Sequence, residues 1–323
     1  MAGTASHYSA TIMATSAMHH PPIVVLAGAT ASGKSALAMA IAKKIGAEII
    51  SADSRQIYWE LTIGAAKPSP KELQEVPHHF INEKHIGEPF TAGDFAVEAW
   101  QRITAIHQRD KRVVVAGGST LYVEGLLKGF ANLPSANEAI RQRLETELQT
   151  LGSEALYQRL VKLDPTQAAT LDATKTQRLI RSLEIIESSG TSVTALKAAQ
   201  QPPPSHFTFL PFALFLPRET LYQRINQRVD DMMANGLLHE AEALYQTYCD
   251  TWQERNLSAL RTVGYQELFA YFEGRHSLDE AINLIKQHTR NYAKRQITFF
   301  SNHLALRWIE QAEMEEIVEQ HGF

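Results

Sequence analysis

Eight residues, Gly28-Ala29-Thr30-Ala31-Ser32-Gly33-Lys34-Ser35, follow the pattern G-x-x-x-x-G-K-[ST], whose chemistry is the holding of a phosphate chain. The glycines let backbone N–H groups turn inward around an anion, and Lys34 adds a positive charge on a long arm. A helix N-terminus behind the loop adds about half an elementary charge. The hydroxyl of Ser35 can hold Mg2+. The spacing therefore predicts a di- or triphosphate site over residues 28–35, with Ser35 on the metal.

A carboxylate is expected opposite this loop. Glu48-Ile-Ile-Ser-Ala-Asp53 reads as a short strand ending in an acid, and strand C-termini face the ligand crevice of an open α/β sheet. Asp53 suits either a base on the acceptor side or a helix cap or metal-shell acid. The later strand, Arg112 to Ala116, ends in Gly117-Gly118 and offers no second acid for organising a hydrolytic water. Arg224 and Arg228, four apart on one helix, could clamp a leaving diphosphate or pair with Asp230 and Asp231. His78-His79 on a strand would point to opposite faces, which disfavours a shared metal. The single cysteine, Cys249, reads as a small half-buried residue, allows no intrachain disulfide and fits a reducing compartment.

The net charge of −4 over 323 residues gives no global sign of a nucleic-acid partner, so any such site must come from local clusters. Lys286, Arg290 and Lys294 share one helix face, with Arg295, Tyr292, Phe299 and Phe300 interleaved. Lys175, Arg178 and Arg181 form a second cluster, and Arg255 with Arg261 a third. Each reads as solvated surface or as an RNA or polyphosphate contact; three of them beside a phosphate loop favour the contact.

The elements that must position these residues alternate. Ile23 to Ala27 is a strand, residues 36–44 a helix, 48–53 a strand, 91–109 a helix starting at Thr91, and 112–116 a buried parallel strand. That alternation predicts an α/β fold, a doubly wound parallel sheet of the P-loop NTPase-like kind. Residues 22–133 and 206–311 read as two parts of this core, separated by a small all-helical insertion over 134–205 that ends in the Pro-rich linker 201–205. Helices are expected at 218–234, 237–248, 264–272 and 279–300 in the second part, with a strand over 207–216 before them. Residues 1–21 read as a disordered leader without Lys, Arg or an apolar h-region, and 312–323 as a tail. No stretch approaches the roughly 20 apolar residues of a membrane span, so a cytoplasmic monomer without membrane contact is expected.

Together these segments resemble one family, the tRNA dimethylallyltransferases (tRNA isopentenyltransferases). The resemblance covers residues 23–311 and rests on GATASGKS (28–35), ISADSRQIY (50–58), IGAAKP (63–68), VPHHF (76–80), AGGSTLY (116–122) and LPSA (133–136). It continues in TQRLIRSLEI (176–185), LYQRINQRVDDM (221–232), LRTVGYQEL (260–268) and YAKRQITFF (292–300). The resemblance implies transfer of a dimethylallyl group from dimethylallyl diphosphate to N6 of the adenine 3′ of the anticodon, at tRNA position 37, in tRNAs reading codons that begin with U. It implies Mg2+ as cofactor, the tRNA anticodon stem-loop as partner, Asp53 as catalytic base, and Lys34, Arg224 and Arg228 on the diphosphate.

Contacts to tRNA implied by the same resemblance are Asp53, Ser54, Arg55, Gln56, Ser119, Arg141, Gln177, Arg178, Leu179, Ile180, Arg181, Arg261, Thr262, Val263, Gly264, Tyr265, Gln266, Lys294 and Arg295. Four positions depart from the family's habit: Ala29 where proline is usual, Ser35 for threonine, Ser119-Thr120 after the glycine pair, and Asn82 for aspartate. The competing expectation is a P-loop nucleoside or nucleotide kinase using ATP, which shares the loop and an acid after the second strand.

Overall fold

The computed structural model describes residues 20–131, 133–134, 136–200, 202–251 and 257–320. Most of the expected leader, and Arg255 of the third basic cluster, lie outside the described residues. In chain order the elements are β1 (Ile23–Gly28), α1 (Lys34–Ile45), β2 (Ala47–Ser51), α2 (Pro70–Glu75), β3 (His78–His79), α3 (Ala92–His107), β4 (Arg112–Gly117) and α4 (Thr120–Lys128). There follow α5 (Glu138–Leu163), α6 (Pro165–Ala168), α7 (Thr176–Ser189), α8 (Val193–Ala198) and β5 (Phe209–Leu214). The chain closes with α9 (Arg218–Ala234), α10 (Leu237–Tyr248), α11 (Tyr265–Phe272), α12 (Leu278–His303), β6 (Arg307–Ile309) and α13 (Gln311–Gln320).

The strands make one six-stranded, all-parallel sheet in the order β3-β2-β4-β1-β5-β6. β1 lies inside it, with Val25 opposite Val115 on one side and Pro211 on the other. Alternate β1 side chains enter two separate cores. Val24 and Leu26 pack with Leu37 and Ile41 of α1, whereas Ile23, Val25 and Ala27 belong with Ile103 of α3 and Phe300 of α12. Burial on both faces explains why these strands are unbroken apolar runs. Pro211 falls just before β6 begins to pair at Phe212, where β5 is still an edge that needs no N–H. The strand–loop–helix unit at the sheet centre makes this a doubly wound, P-loop NTPase-like fold.

Local signals place the helices that carry the site. Thr91 caps α3, its Oγ1 accepting from Asp94 N at 3.1 Å while the Asp94 carboxylate accepts from Thr91 N at 2.8 Å. Ser277 and Glu280 repeat this reciprocal cap at the start of α12. The helices between 138 and 198 enclose their own apolar cluster of Leu144, Leu156, Leu160, Leu179 and Leu183. The expected tail is instead a helix. Met314, Ile317 and Val318 fall on one face of α13 and bury against the α1 side of the sheet. No helix among the described residues is long and apolar enough to cross a membrane.

Candidate active site

β1 ends at Gly28 and α1 begins at Lys34, so the loop between them crosses the C-terminal edge of the sheet. Gly33 caps α1 in the left-handed region at φ 95°, and a Cβ there would lie 3.4 Å from Nη1 of Arg224. The first N–H groups of α1 have no intrahelical partner. Ser32 is only 4% exposed, yet its Oγ has no hydrogen-bond partner. Buried donors of this kind at a helix N-terminus suit an anion. Lys34 Nζ folds back to donate to Ala29 O at 3.1 Å. Burial, then the like charge of Arg228, pushes Lys34 down to about 8, against the opposing pull of Asp53.

Asp53 stands two residues past β2, where its Oδ1 accepts from Arg55 N at 2.9 Å and turns the chain. Ser119 fastens that turn to the end of β4. Its Oγ accepts from Ser54 N at 2.8 Å, and its own N–H reaches Ala52 O at 3.2 Å. Asp53, Ser54, Arg55 and Ser119 then line one cavity of about 330 Å³ together with Thr30 and Arg228. The lining also holds the apolar side chains of Ala65, Val229, Met232, Leu237, Val263 and Ile285.

Arg224 and Arg228 of α9 meet no carboxylate among the described residues of their own helix. Asp230 pairs with Lys286 at 2.6 Å, and Asp231 accepts from Gln227 at 2.9 Å, so neither acid answers Arg224 or Arg228. Arg228 is half-buried on the cavity wall. Burial lowers its affinity for the proton and Asp53 opposes that. Arg224 reaches the loop at Gly33 instead. The continuous basic face expected on α12 is divided: Lys286 is taken by Asp230, and Arg290 donates to Asn226 Oδ1 at 2.6 Å.

Other expected contact residues separate into three groups. Arg261, Thr262, Val263, Gly264, Gln266 and Arg295 line the cavity, while Lys294 is exposed outside its lining. Gln177 and Arg178 are exposed on the first turn of α7. The rest are engaged internally. Gln56 accepts from Ser51 Oγ at 2.8 Å and donates to Ala66 O at 3.1 Å. Tyr265 is fully buried and donates to Glu240 at 2.7 Å. Leu179 and Ile180 turn into the insertion's apolar cluster, because helical periodicity sends them inward beside Leu183. Arg141 and Arg181 both meet the buried carboxylate of Glu184 at 3.0 Å.

Two residues that the motifs do not single out hold the site together. Glu240 accepts from Ile63 N at 2.8 Å and Gly64 N at 3.0 Å, as well as from Tyr265, and so ties the 62–66 turn to α11. Gln296 bonds both Thr30 N and Gly118 O. Glu240 leaves no local signal, and Gln296 stands in YAKRQITFF without being marked there as a partner of the loop, since each partner is far away in the chain. Among the described residues no three His, Cys, Asp or Glu side chains converge to hold a metal. Ser35 is exposed at the start of α1 and opens on a second cavity of about 120 Å³ that Ser51 and Gln56 also line. A hydroxyl, phosphate oxygens and water are hard donors that fit Mg2+.

The IPP transferase family model matches residues 56–303. A protein of Pelodictyon phaeoclathratiforme named tRNA dimethylallyltransferase is 59% identical over 299 residues, covering 92% of this chain and 94% of its own length. One of the same name from Chlorobium phaeobacteroides is 57% identical over 300 residues, covering 93% of each. Among solved structures, the full-length tRNA isopentenylpyrophosphate transferase of Bacillus halodurans superposes with a TM-score of 0.66 at 35% identity, over 93% of this chain and 95% of that one. A eukaryotic dimethylallyltransferase described as acting on tRNA gives a TM-score of 0.76 at 27% identity, over 93% of this chain and 77% of that one.

Proposed function

The chain belongs to the IPP transferase family, and from that premise we propose that it is a tRNA dimethylallyltransferase, moving a dimethylallyl group from its diphosphate to N6 of the adenine at tRNA position 37. The observation that carries this reading is one acid and one half-buried cation, Asp53 and Arg228, on a single cavity beside the phosphate-loop lysine. The relatives are named for dimethylallyl or isopentenyl transfer, which disfavours the ATP-dependent kinase. The enzyme is read as a cytoplasmic monomer that takes the anticodon stem-loops of tRNAs reading codons that begin with U.

The chemistry follows from the charges. The donor's diphosphate sits on the loop, against the N-terminal N–H groups of α1, Ser32, Lys34, Arg224 and Arg228. As the C–O bond to the allylic carbon breaks, charge grows on the leaving oxygens, and cations already in place there stabilise that charge more than they stabilise the bound donor. The adenine amine forms the new C–N bond, and Asp53 takes the proton that N6 releases. Ser35 is the residue that would hold Mg2+, whose contribution when bound is neutralisation of the diphosphate. The adenine must leave its stack to enter the cavity. The apolar side chains of the lining, such as Val229 and Ile285, exclude water from the allylic carbon.

The deciding experiment incubates the protein with labelled dimethylallyl diphosphate, Mg2+ and unmodified tRNA. Label is expected in RNA at that adenine. Label-free RNA, with phosphate transferred from ATP to a nucleoside, would establish the kinase instead.

A further inference from the structure

We propose that Gln296 is a positioning residue of the phosphate loop: its amide fastens the Thr30 peptide to the Gly118 carbonyl and so fixes the loop in the form that receives a diphosphate. Gln296 lies on α12 and is 2% exposed. Its Oε1 accepts from Thr30 N at 2.9 Å, and its Nε2 donates to Gly118 O at 2.7 Å. One side chain thus joins the loop after β1 to the turn after β4, across 266 and 178 residues of sequence. The space around it is closed. A Cβ on Gly118 would lie 2.5 Å from Gln296 Nε2 and 3.4 Å from Lys34 Nζ, so the amide and the lysine border the same glycine.

A primary amide serves both partners at once. A carboxylate has no donor for the Gly118 carbonyl, and an ammonium has no acceptor for the Thr30 N–H. The same helix sends Thr289, Tyr292 and Arg295 to the acceptor cavity, so α12 reaches both halves of the site. The amide meets the loop and the side chain of Tyr292, which lines the cavity, but not the reacting atoms. Its loss therefore falls chiefly on the holding of the diphosphate.

The inference rests on the transferase reading for the identity of the anion, and binding measurements separate the two. Calorimetry with inorganic pyrophosphate and Mg2+ is run on the wild type, Gln296→Met and Gln296→Glu, beside tRNA binding and thermal melts. Methionine keeps the length and bulk of the side chain and deletes both hydrogen bonds. The expected result is a pyrophosphate Kd raised about tenfold, the worth of roughly one net hydrogen bond, with tRNA affinity changed far less; the two buried groups left unpaired also lower Tm. In turnover, the loss then sits in KM for dimethylallyl diphosphate. Gln296→Glu keeps the acceptor but sets a negative charge beside Lys34, so it binds pyrophosphate more weakly than Gln296→Met. Wild-type pyrophosphate affinity in Gln296→Met overturns the inference, as do equal losses in pyrophosphate and tRNA binding. A wild type that binds no pyrophosphate at all overturns the transferase reading on which it rests.

Discussion

Arg228 and Lys34 act on each other as like charges beside the phosphate loop, and Asp53 is the acid set against both. This arrangement exists because α9 offers Arg228 no carboxylate of its own: Asp231, three residues on, accepts from Gln227 at 2.9 Å, and Asp230 pairs with Lys286 at 2.6 Å. An anion arriving between the two cations relieves their repulsion. Binding and charge relief are therefore one event, and the site prefers a polyanion to a neutral ligand.

The first prediction concerns pH. With Lys34 pushed down to about 8, it loses its charge as pH rises through that value, so kcat/KM for the diphosphate donor falls on the alkaline side. Arg228→Ala removes the like charge and moves that limb upward. A pH profile of kcat/KM in both proteins checks this; an unmoved limb would mean that burial alone sets the lysine. The stability sign is opposite. Between about 8 and the ordinary 10.5 the unfolded chain binds the extra proton, so the contribution of Lys34 to stability rises with pH.

Asp53→Asn is expected to lower single-turnover transfer by roughly 10²–10⁴-fold, the usual worth of a positioned base. The Arg55 N–H can still reach the amide oxygen, so the turn at 53–55 and tRNA affinity should persist. Rapid-quench rates beside filter binding separate the two effects. A wild-type rate would remove Asp53 from proton transfer.

How much of this was legible differs by residue. The loop at 28–35 could be read because its glycines, lysine and flanking apolar run are all local. Asp53 could be read because a strand end in an α/β sheet has a known direction. The choice between phosphate clamp and salt bridge for Arg228 could not. Spacing of three puts Asp231 within reach of Arg228, and only the structure shows that Asp231 accepts from Gln227 while Lys286, arriving from α12, takes Asp230. Glu240 was invisible for the same reason, and Gln296, although it stands in the 292–300 motif, carries no sign there of the loop it holds, since the partners of both come from distant segments. Arg141 and Arg181 are both implied by the resemblance to contact RNA, yet the acid that holds them, Glu184, is buried beneath both. By contrast, the inward turn of Leu179 and Ile180 is ordinary helical periodicity, which a reading of the motif as one continuous contact overlooks. The strand β6, only Arg307–Ile309, is too short to show any alternation.

Glu184 yields a stability prediction. Burial favours its neutral form, but the Asn137 N–H and the guanidiniums of Arg181 and Arg141 outweigh that and hold the carboxyl below its ordinary 4.5. Glu184→Ala leaves two arginines without their buried partner and should cost about 3 kcal/mol, read as a lower denaturation midpoint for the insertion. The contribution is present above the ordinary value and is lost as pH falls through the folded one, so variant and wild type should converge in acid. Urea unfolding at neutral and acid pH checks it, and an equal gap at both would assign the loss to packing alone.

The last prediction separates two neighbours on α12. Arg295 lines the acceptor cavity with its guanidinium 5.8 Å from the Tyr292 ring, whereas Lys294 is exposed outside the cavity lining. A lysine that meets only phosphate lowers affinity evenly across RNAs when removed and reduces the salt slope of log Kd by about 0.7–0.9, as one contact should. An arginine stacked in the cavity also loses its hold on the flipped base, so Arg295→Ala should weaken binding further than its share of the slope accounts for. Filter binding of wild type, Lys294→Ala, Arg295→Ala and the double variant, from low to moderate salt, gives both quantities. Equal affinity losses and equal slope changes for the two single variants would mean that Arg295, like Lys294, touches only backbone. An unchanged slope in the double variant would place both charges in solvent, and the RNA path would then have to be sought at Gln177 and Arg178 on the insertion.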